Sequence, residues 1–167
     1  VAHASAVELV KQYDNLVVVQ TFSKSRALAG LRVGMAFANP SLIEALTRYK
    51  NSFNSYPIDT LAQAGALASL QDVAYFTRRC HEIIALRQDL SARLVAQGFD
   101  VLPSQANFVF AKPPASMGET IQVFEKLRAQ GVIVRHFNKP KISDYLRITI
   151  GTAEQNQRLL DTLTSLV

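Results

Sequence analysis

The chain has 167 residues, of which 49% are apolar and 19% charged, and it carries a formal net charge of +5. This composition is typical of an ordered globular protein, and the basic residues are too dispersed among acidic ones to indicate a nucleic-acid surface. No apolar run reaches the roughly 18 residues that span a bilayer, and no signal peptide is recognisable. Cys80 is the single cysteine, so no internal disulfide can form. We therefore expect a cytoplasmic protein without membrane partners.

The first 72 residues alternate between apolar runs and helical patterns. The β-branched run at 16–20 predicts a strand that is covered on both faces, and Asn39-Pro40 predicts the N-terminus of a helix. Ser5 and Glu8 form a capping-box pattern for a short first helix. In chain order the predicted elements are a helix at 5–13, strands at 16–20 and 31–38, and helices at 40–49 and 58–70.

The remaining residues predict a second, compact α/β segment. A long helical pattern begins near Val73 and stops at Gly98, a residue that commonly ends helices. A capping box at Thr152–Gln155 opens the last helix, and a similar pattern is seen at Ser116–Glu119. Strands are predicted at 99–102, 107–111, 132–134 and 145–150. We thus expect two domains, 1–72 and 73–167, joined through the long helix.

Lys24 stands in the most informative segment of the chain, Thr21-Phe22-Ser23-Lys24-Ser25-Arg26-Ala27-Leu28-Ala29-Gly30. A lysine amine can condense with an aldehyde when part of it is neutral, and nearby cations favour the neutral form. Hydroxyls, backbone amides and a guanidinium such as that of Arg32 are groups that bind phosphate. Because the segment follows a predicted strand, where open α/β sheets place ligands, this pattern predicts a site for a phosphorylated aldehyde.

The segment Thr21–Gly30 resembles, position by position, the lysine signature of the class II pyridoxal-phosphate aminotransferases. Gly30–Gly34 is similar to the arginine segment with which that family binds the cofactor phosphate. Pro103–Phe108, Val134–Pro140 and Tyr145–Thr152 resemble, in the same order, the C-terminal part of the histidinol-phosphate branch. The resemblance implies a fold type I architecture: the end of a large, mostly parallel cofactor-binding domain followed by a small C-terminal α/β domain.

The resemblance also implies roles for individual residues and an activity. Lys24 would bind pyridoxal 5'-phosphate covalently and then move a proton during catalysis, and the reaction would transfer an amino group between L-histidinol phosphate and 2-oxoglutarate in histidine biosynthesis. The intact enzyme would be a homodimer. The cofactor phosphate would be held by Thr21, Ser23 and Arg32, and the anionic end of the substrate by Arg147 with Arg135, with Asn107 as a further candidate.

Several alternatives stay open at this point. Within the enzymes, a broad aromatic aminotransferase or a related decarboxylase would share the lysine signature; outside them, a non-catalytic α/β module would merely expose Lys24. Arg147 could instead pair with Asp144, and Asn107 could serve loop structure alone. No histidine has partners at metal-ligand spacing, so we expect no metal site.

The family's phosphate loop and the aspartate that pairs with the pyridine nitrogen have no counterpart in this sequence, and residues 1–5 resemble the family's segment directly after that aspartate. We therefore expect the chain to be a C-terminal portion that is inactive alone.

Overall fold

A computed structural model describes residues 5–166 of the chain. The residues group into two compact units, Val1–Cys80 and His81–Val167. The division falls inside the long helix α3 (Val73–Ala96), eight residues after the predicted boundary. The assignment of 1–72 and 73–167 to two domains of a larger enzyme stays a prediction, and residues 1–4, where part of the N-terminal resemblance falls, lie outside the described residues.

The first unit consists of short strands and helices in chain order. A 3₁₀ helix (Ala6–Lys11) precedes β1 (Val17–Thr21), a 3₁₀ turn (Ala29–Leu31) precedes β2 (Gly34–Ala38), and the helices α1 (Pro40–Phe53) and α2 (Thr60–Gln71) follow. The sequence signals for the helix ends are confirmed: the Asn39 side chain accepts a hydrogen bond from the Ser41 amide, with Pro40 at the first helical position. The Ser5 hydroxyl caps the first helix by accepting from the Val7 amide, but the predicted capping box with Glu8 is not formed, because Glu8 pairs with Lys11, and this helix is a 3₁₀ helix that ends at Lys11.

The two strands of this unit pair antiparallel, from Val17 opposite Ala38 to Thr21 opposite Gly34. The connection between them, residues 22–33, contains only the 3₁₀ turn and no α-helix of the kind that usually joins parallel strands, and the parallel pairing expected of the larger domain is not found between these two strands. The expectation that β1 is covered on both faces is also wrong for this chain, because Val19 is 74% exposed. No further strand pairs with this hairpin among the described residues, so one edge of each strand and part of its surface stay exposed.

The second unit contains a four-stranded antiparallel sheet in the order β3-β4-β6-β5. After the second half of α3, its elements are β3 (Asp100–Val101), β4 (Phe108–Lys112), a 3₁₀ turn (Ala115–Met117), α4 (Thr120–Ala129), β5 (Arg135–His136), β6 (Leu146–Thr149) and α5 (Ala153–Thr164). Apolar side chains from its helices and strands form one core. The fully buried members are Leu90, Leu94, Val109, Ala111, Val123, Leu127, Leu146 and Leu163.

Two local predictions for this unit need correction. The helix predicted from the Ser116–Glu119 pattern starts later, because Glu119 itself is the N-cap and exchanges hydrogen bonds with Gln122 in a capping box. The strand predicted at 132–134 is found at Arg135–His136 instead, since pairing with β6, rather than the β-branched run, determines which residues are extended. Gly98 ends α3 with φ +86°, as predicted, and the Thr152–Gln155 capping box is confirmed.

No helix among residues 5–166 is both long enough and apolar enough to cross a membrane.

Candidate functional site

Lys24 lies in a turn immediately after β1, as the sequence predicts. The turn is closed by a hydrogen bond from the Ala27 amide to the Lys24 carbonyl at 3.0 Å, and a second bond joins the Leu28 amide to the Phe22 carbonyl, also at 3.0 Å. The Phe22 side chain is buried, with Val33 beside it in the core of the first unit. The backbone on both sides of Lys24 is therefore fixed by contacts that do not involve its side chain.

The two hydroxyls predicted to bind phosphate lie together. Thr21 Oγ1 donates a hydrogen bond to Ser23 Oγ at 2.8 Å, and it accepts one from the Ser23 amide at 3.1 Å. This local arrangement follows from the two-residue spacing, which lets a threonine side chain bond the backbone two positions later. Because hydroxyl hydrogens rotate, the pair can turn donors toward an anion without moving the backbone.

The Lys24 side chain is exposed, and within residues 5–166 its amine has neither a hydrogen bond nor an ion pair. The first unit therefore does not bury the Lys24 amine in apolar surroundings. Arg32 is exposed as well, in a left-handed conformation with φ 55°. One of its guanidinium nitrogens donates to the Ala29 carbonyl at 3.0 Å, which leaves its other donors available to a ligand.

Arg147 and Arg135 lie directly opposite each other on the paired strands β6 and β5. Opposite residues of an antiparallel pair share one face of the sheet, and both guanidinium groups lie against the Phe137 ring, at 5.2 Å for Arg135 and 5.7 Å for Arg147 from its centroid. Arg147 also lies 5.3 Å from the centroid of Phe108. Its Nε is buried and has no hydrogen-bond partner among the described residues. Two like charges and an unpaired buried donor make this face suited to an anion.

Arg147 does not form the ion pair with Asp144 that the sequence left open. Asp144 instead forms an ion pair with Lys112, with 2.9 Å between Nζ and Oδ2. The hydrogen bond and the charge of Lys112 lower the pKa of Asp144, and the same contact raises the pKa of Lys112.

Asn107 lies directly before β4, and its side chain is exposed. Its carbonyl accepts a hydrogen bond from the Ile150 amide at 2.9 Å, and the loop before it is closed by Ser104, whose hydroxyl donates to the Phe108 carbonyl at 2.6 Å. The backbone of Asn107 is therefore structural. Because its side chain is not used by the loop, the ligand-facing role stays a prediction.

The candidate residues fall into two groups, one in each unit. Thr21, Ser23, Lys24 and Arg32 belong to the first, and Asn107, Arg135 and Arg147 to the second. Phe137 contacts both arginines, and the sequence analysis did not predict this role. The only signal for it was its spacing of two residues from Arg135, because alternate residues of an extended segment lie on the same face. Within the described part of the chain, no cluster of three histidine, cysteine, aspartate or glutamate side chains could hold a metal ion.

The groups of the first unit fit a phosphorylated aldehyde. Two adjacent hydroxyls and the spare donors of Arg32 are of the kind that bind phosphate oxygens, and Lys24 offers an amine that no group of residues 5–166 occupies.

Comparison with known proteins identifies the family of the chain. The family model described as "Aminotransferase class I and II" matches residues 1–163. A relative from Psychrobacter arcticus, named histidinol-phosphate aminotransferase 2, is 64% identical over 162 residues, which cover 97% of this chain and 42% of the relative. The chain spans less than half the length of the curated relatives that it matches.

Solved structures show the same fold. The crystal structure of a putative histidinol-phosphate aminotransferase from Erwinia carotovora is 30% identical, with a TM-score of 0.85 over 98% of this chain and 47% of that protein. The histidinol-phosphate aminotransferase from Sinorhizobium meliloti, whose structure is a complex with pyridoxal-5'-phosphate, is 23% identical with a TM-score of 0.80; the match covers 92% of this chain and 42% of that one. The fold is thus that of part of a fold type I aminotransferase, as the sequence predicted. Since the family model matches nearly all of the sequence, the chain belongs to the class I and II aminotransferase family.

Proposed function

We propose that this chain is the lysine-bearing part of a pyridoxal-phosphate-dependent aminotransferase that transfers an amino group between L-histidinol phosphate and 2-oxoglutarate. The observation that carries the proposal is the Lys24 turn: an amine without a partner in the described part of the chain, two adjoining hydroxyls and Arg32 follow β1. The identity of 64% with a histidinol-phosphate aminotransferase supports the choice of substrate.

In this proposal the cofactor, when bound, supplies an electron sink, and the protein supplies placement and charge. Lys24 holds the cofactor through its amine and, once released, moves a proton to or from the substrate carbon. Thr21, Ser23 and Arg32 bind the phosphate. Arginine suits this task because its planar group bonds two oxygens at once and stays charged at any working pH.

Arg147, with Arg135 beside it, binds the anionic end of the substrate. The unpaired buried Nε supports this role, because a buried donor without a partner costs free energy that an anion would recover. Asn107, whose side chain is exposed directly before β4, is proposed to face the same ligand. No step is assigned to Asp144, which is already paired with Lys112.

The exposure of Lys24 is consistent with a site that other parts of a longer enzyme complete. The relatives are more than twice as long as the matched segment, and large apolar side chains are exposed here, among them Phe53, Tyr56 and Leu61 at 80–90%. Exposed apolar patches of this kind mark surfaces that another segment or subunit covers. We propose that the intact enzyme is a cytoplasmic homodimer and that the 167 residues alone are inactive.

Borohydride reduction tests the cofactor assignment directly. The full-length polypeptide is incubated with pyridoxal 5'-phosphate, reduced, digested and analysed by mass spectrometry. We expect one stable adduct, on Lys24, which is absent in the Lys24→Arg variant and unchanged in Lys11→Arg, a control on an exposed lysine that pairs with Glu8. Labelling spread evenly over the lysines would favour the non-catalytic module.

Substrate choice is tested by turnover of the full-length polypeptide with different amino donors. We expect L-histidinol phosphate to have a higher kcat/KM than phenylalanine, and Arg147→Met to remove most of that preference, because the guanidinium contacts the anion. Equal values for the two donors would instead indicate a broad aromatic aminotransferase. Release of carbon dioxide from an amino acid would indicate a decarboxylase.

A further inference from the structure

Arg26, two residues after Lys24, makes two contacts that leave the lysine turn. One guanidinium nitrogen, Nη1, donates a hydrogen bond to the Ser69 carbonyl near the end of α2. The guanidinium carbon also lies 3.8 Å from the centroid of the Phe76 ring, in the first turn of α3. All of these residues belong to the first unit. Arg26 thus joins the lysine turn to the junction between two helices.

The junction provides an acceptor that Arg26 is suited to use. α2 ends at Gln71 and α3 begins at Val73, and the last carbonyls of a helix have no partner within it. The Asp72 amide bonds the Ala68 carbonyl, whereas the next carbonyl, that of Ser69, receives the guanidinium. The hydrogen bond therefore satisfies a helix end while it fixes the turn.

The second contact explains why an arginine fits this position. A guanidinium can stack its flat face on an aromatic ring and donate from its edge at the same time, which a lysine ammonium cannot do. Arg26 and Phe76 are both half-buried, so the stacking is partly shielded from water and is worth more than at an exposed site.

We propose that Arg26 is a positioning residue for Lys24, held by Ser69 and Phe76; this rests on the proposed function above. Lys24 lies between two fixed points, the buried Phe22 on one side and Arg26 on the other. The Lys24 side chain has no partner within the described residues, so only the backbone of the turn determines the position and direction from which this side chain extends. Misplacing a reacting group by about 1 Å can cost about 100-fold in rate.

The test uses the full-length polypeptide and four variants. Arg26→Met removes the hydrogen bond and the charge but keeps apolar bulk. Arg26→Lys keeps a donor without the flat group, Phe76→Leu removes only the ring, and Arg48→Met is the control, since Arg48 is an exposed residue paired with Glu44. Three quantities are measured for each: cofactor bound per chain, the rate of borohydride labelling at Lys24 per bound cofactor, and kcat and KM for the amino donor.

We expect Arg26→Met to slow labelling at Lys24 and to lower kcat per bound cofactor about tenfold, from the loss of one hydrogen bond and one stacking contact. KM for the donor should stay within about twofold, because Arg26 does not contact the substrate. Arg26→Lys should recover part of the loss, and Phe76→Leu should cost about threefold. Arg48→Met should equal wild type.

Two results would overturn the proposal. In the first, the labelling rate and kcat per bound cofactor of Arg26→Met equal those of wild type. In the second, Arg26→Met loses activity only in proportion to lower cofactor occupancy or a lower Tm, which is what a purely structural role would produce. If Arg26→Met does not fold, Phe76→Leu decides by the same two readouts. If wild type itself is not labelled at Lys24, it is the proposed function that fails, so the two failures are distinguishable.

Discussion

Replacing Arg147 by methionine should leave the protein as stable as before or make it more stable. This expectation is unusual, because most substitutions of partly buried residues destabilise by about 1 kcal/mol. The reason is that Arg147 carries a buried Nε without a partner among the described residues and lies opposite Arg135 in the sheet. A residue whose role is to bind a ligand can lower the stability of the fold, whereas a residue whose role is structural should raise it.

The magnitude follows from opposing contributions. Removing the unpaired donor should stabilise by about 1–3 kcal/mol, and removing one of two opposed charges by about 0.2–1 kcal/mol. Against this, Arg147 loses its contacts with the rings of Phe108 and Phe137, each worth about 0.5–1 kcal/mol. A methionine in their place recovers part of that through sulfur–aromatic contact. The net change lies between about 1 kcal/mol against and about 3 kcal/mol in favour of the variant, with a central value of about 1 kcal/mol in its favour.

Urea unfolding of the full-length polypeptide, without substrate, measures this change. The matched control is Arg93→Met, because Arg93 donates a hydrogen bond to Gln157 at 2.6 Å and lies 3.6 Å from Asp89. Its loss should destabilise by about 1 kcal/mol. The phosphate arm uses protein loaded with pyridoxal 5'-phosphate, so that the proposed Thr21, Ser23 and Arg32 site is already filled. Inorganic phosphate should then stabilise the wild type by about 1.4 kcal/mol at ten times its Kd but leave Arg147→Met unchanged.

A destabilisation of Arg147→Met by more than about 1 kcal/mol would refute this reasoning. It would mean that the Arg147 guanidinium stabilises the fold through its contacts with the aromatic rings, and that the missing partner of Nε carries no cost. An equal response of wild type and variant to phosphate would refute the anion site separately.

Three further predictions concern the stability of the second unit. Leu90→Ala should destabilise by about 2–5 kcal/mol, because the side chain is fully buried and its loss leaves a cavity; Leu102→Ala, at a position 41% exposed, should cost clearly less in the same urea titration. Thr152→Ala should cost about 1 kcal/mol by removing the cap of α5, and Thr152→Ser should not; equal losses would mean that the hydroxyl is not the stabilising group. Because the pKa of Asp144 is lowered in the folded state, its ion pair stabilises the fold at pH values above the usual aspartate pKa, and this contribution should disappear as the pH falls below about 4. Lys112→Met should flatten that part of a pH–stability profile, and an unchanged profile would contradict the ion pair.

The sequence alone determined the features that depend on neighbouring residues. Asn39-Pro40, Thr152–Gln155 and Gly98 marked helix ends correctly, because a cap is made by residues within one turn of each other. The lysine segment and its place after β1 were equally local. These signals were sufficient to recognise the family and to choose the candidate residues.

Only the tertiary structure decided which distant groups meet. The pairing of Asp144 with Lys112 rather than Arg147, the antiparallel hairpin of the first unit and the contact of Arg26 with Phe76 join residues that lie in separate elements. β5 forms where β6 offers hydrogen bonds, not where the sequence has the strongest strand propensity. Strand pairing and ion pairing depend on which elements are adjacent in space, and local sequence patterns do not specify that adjacency.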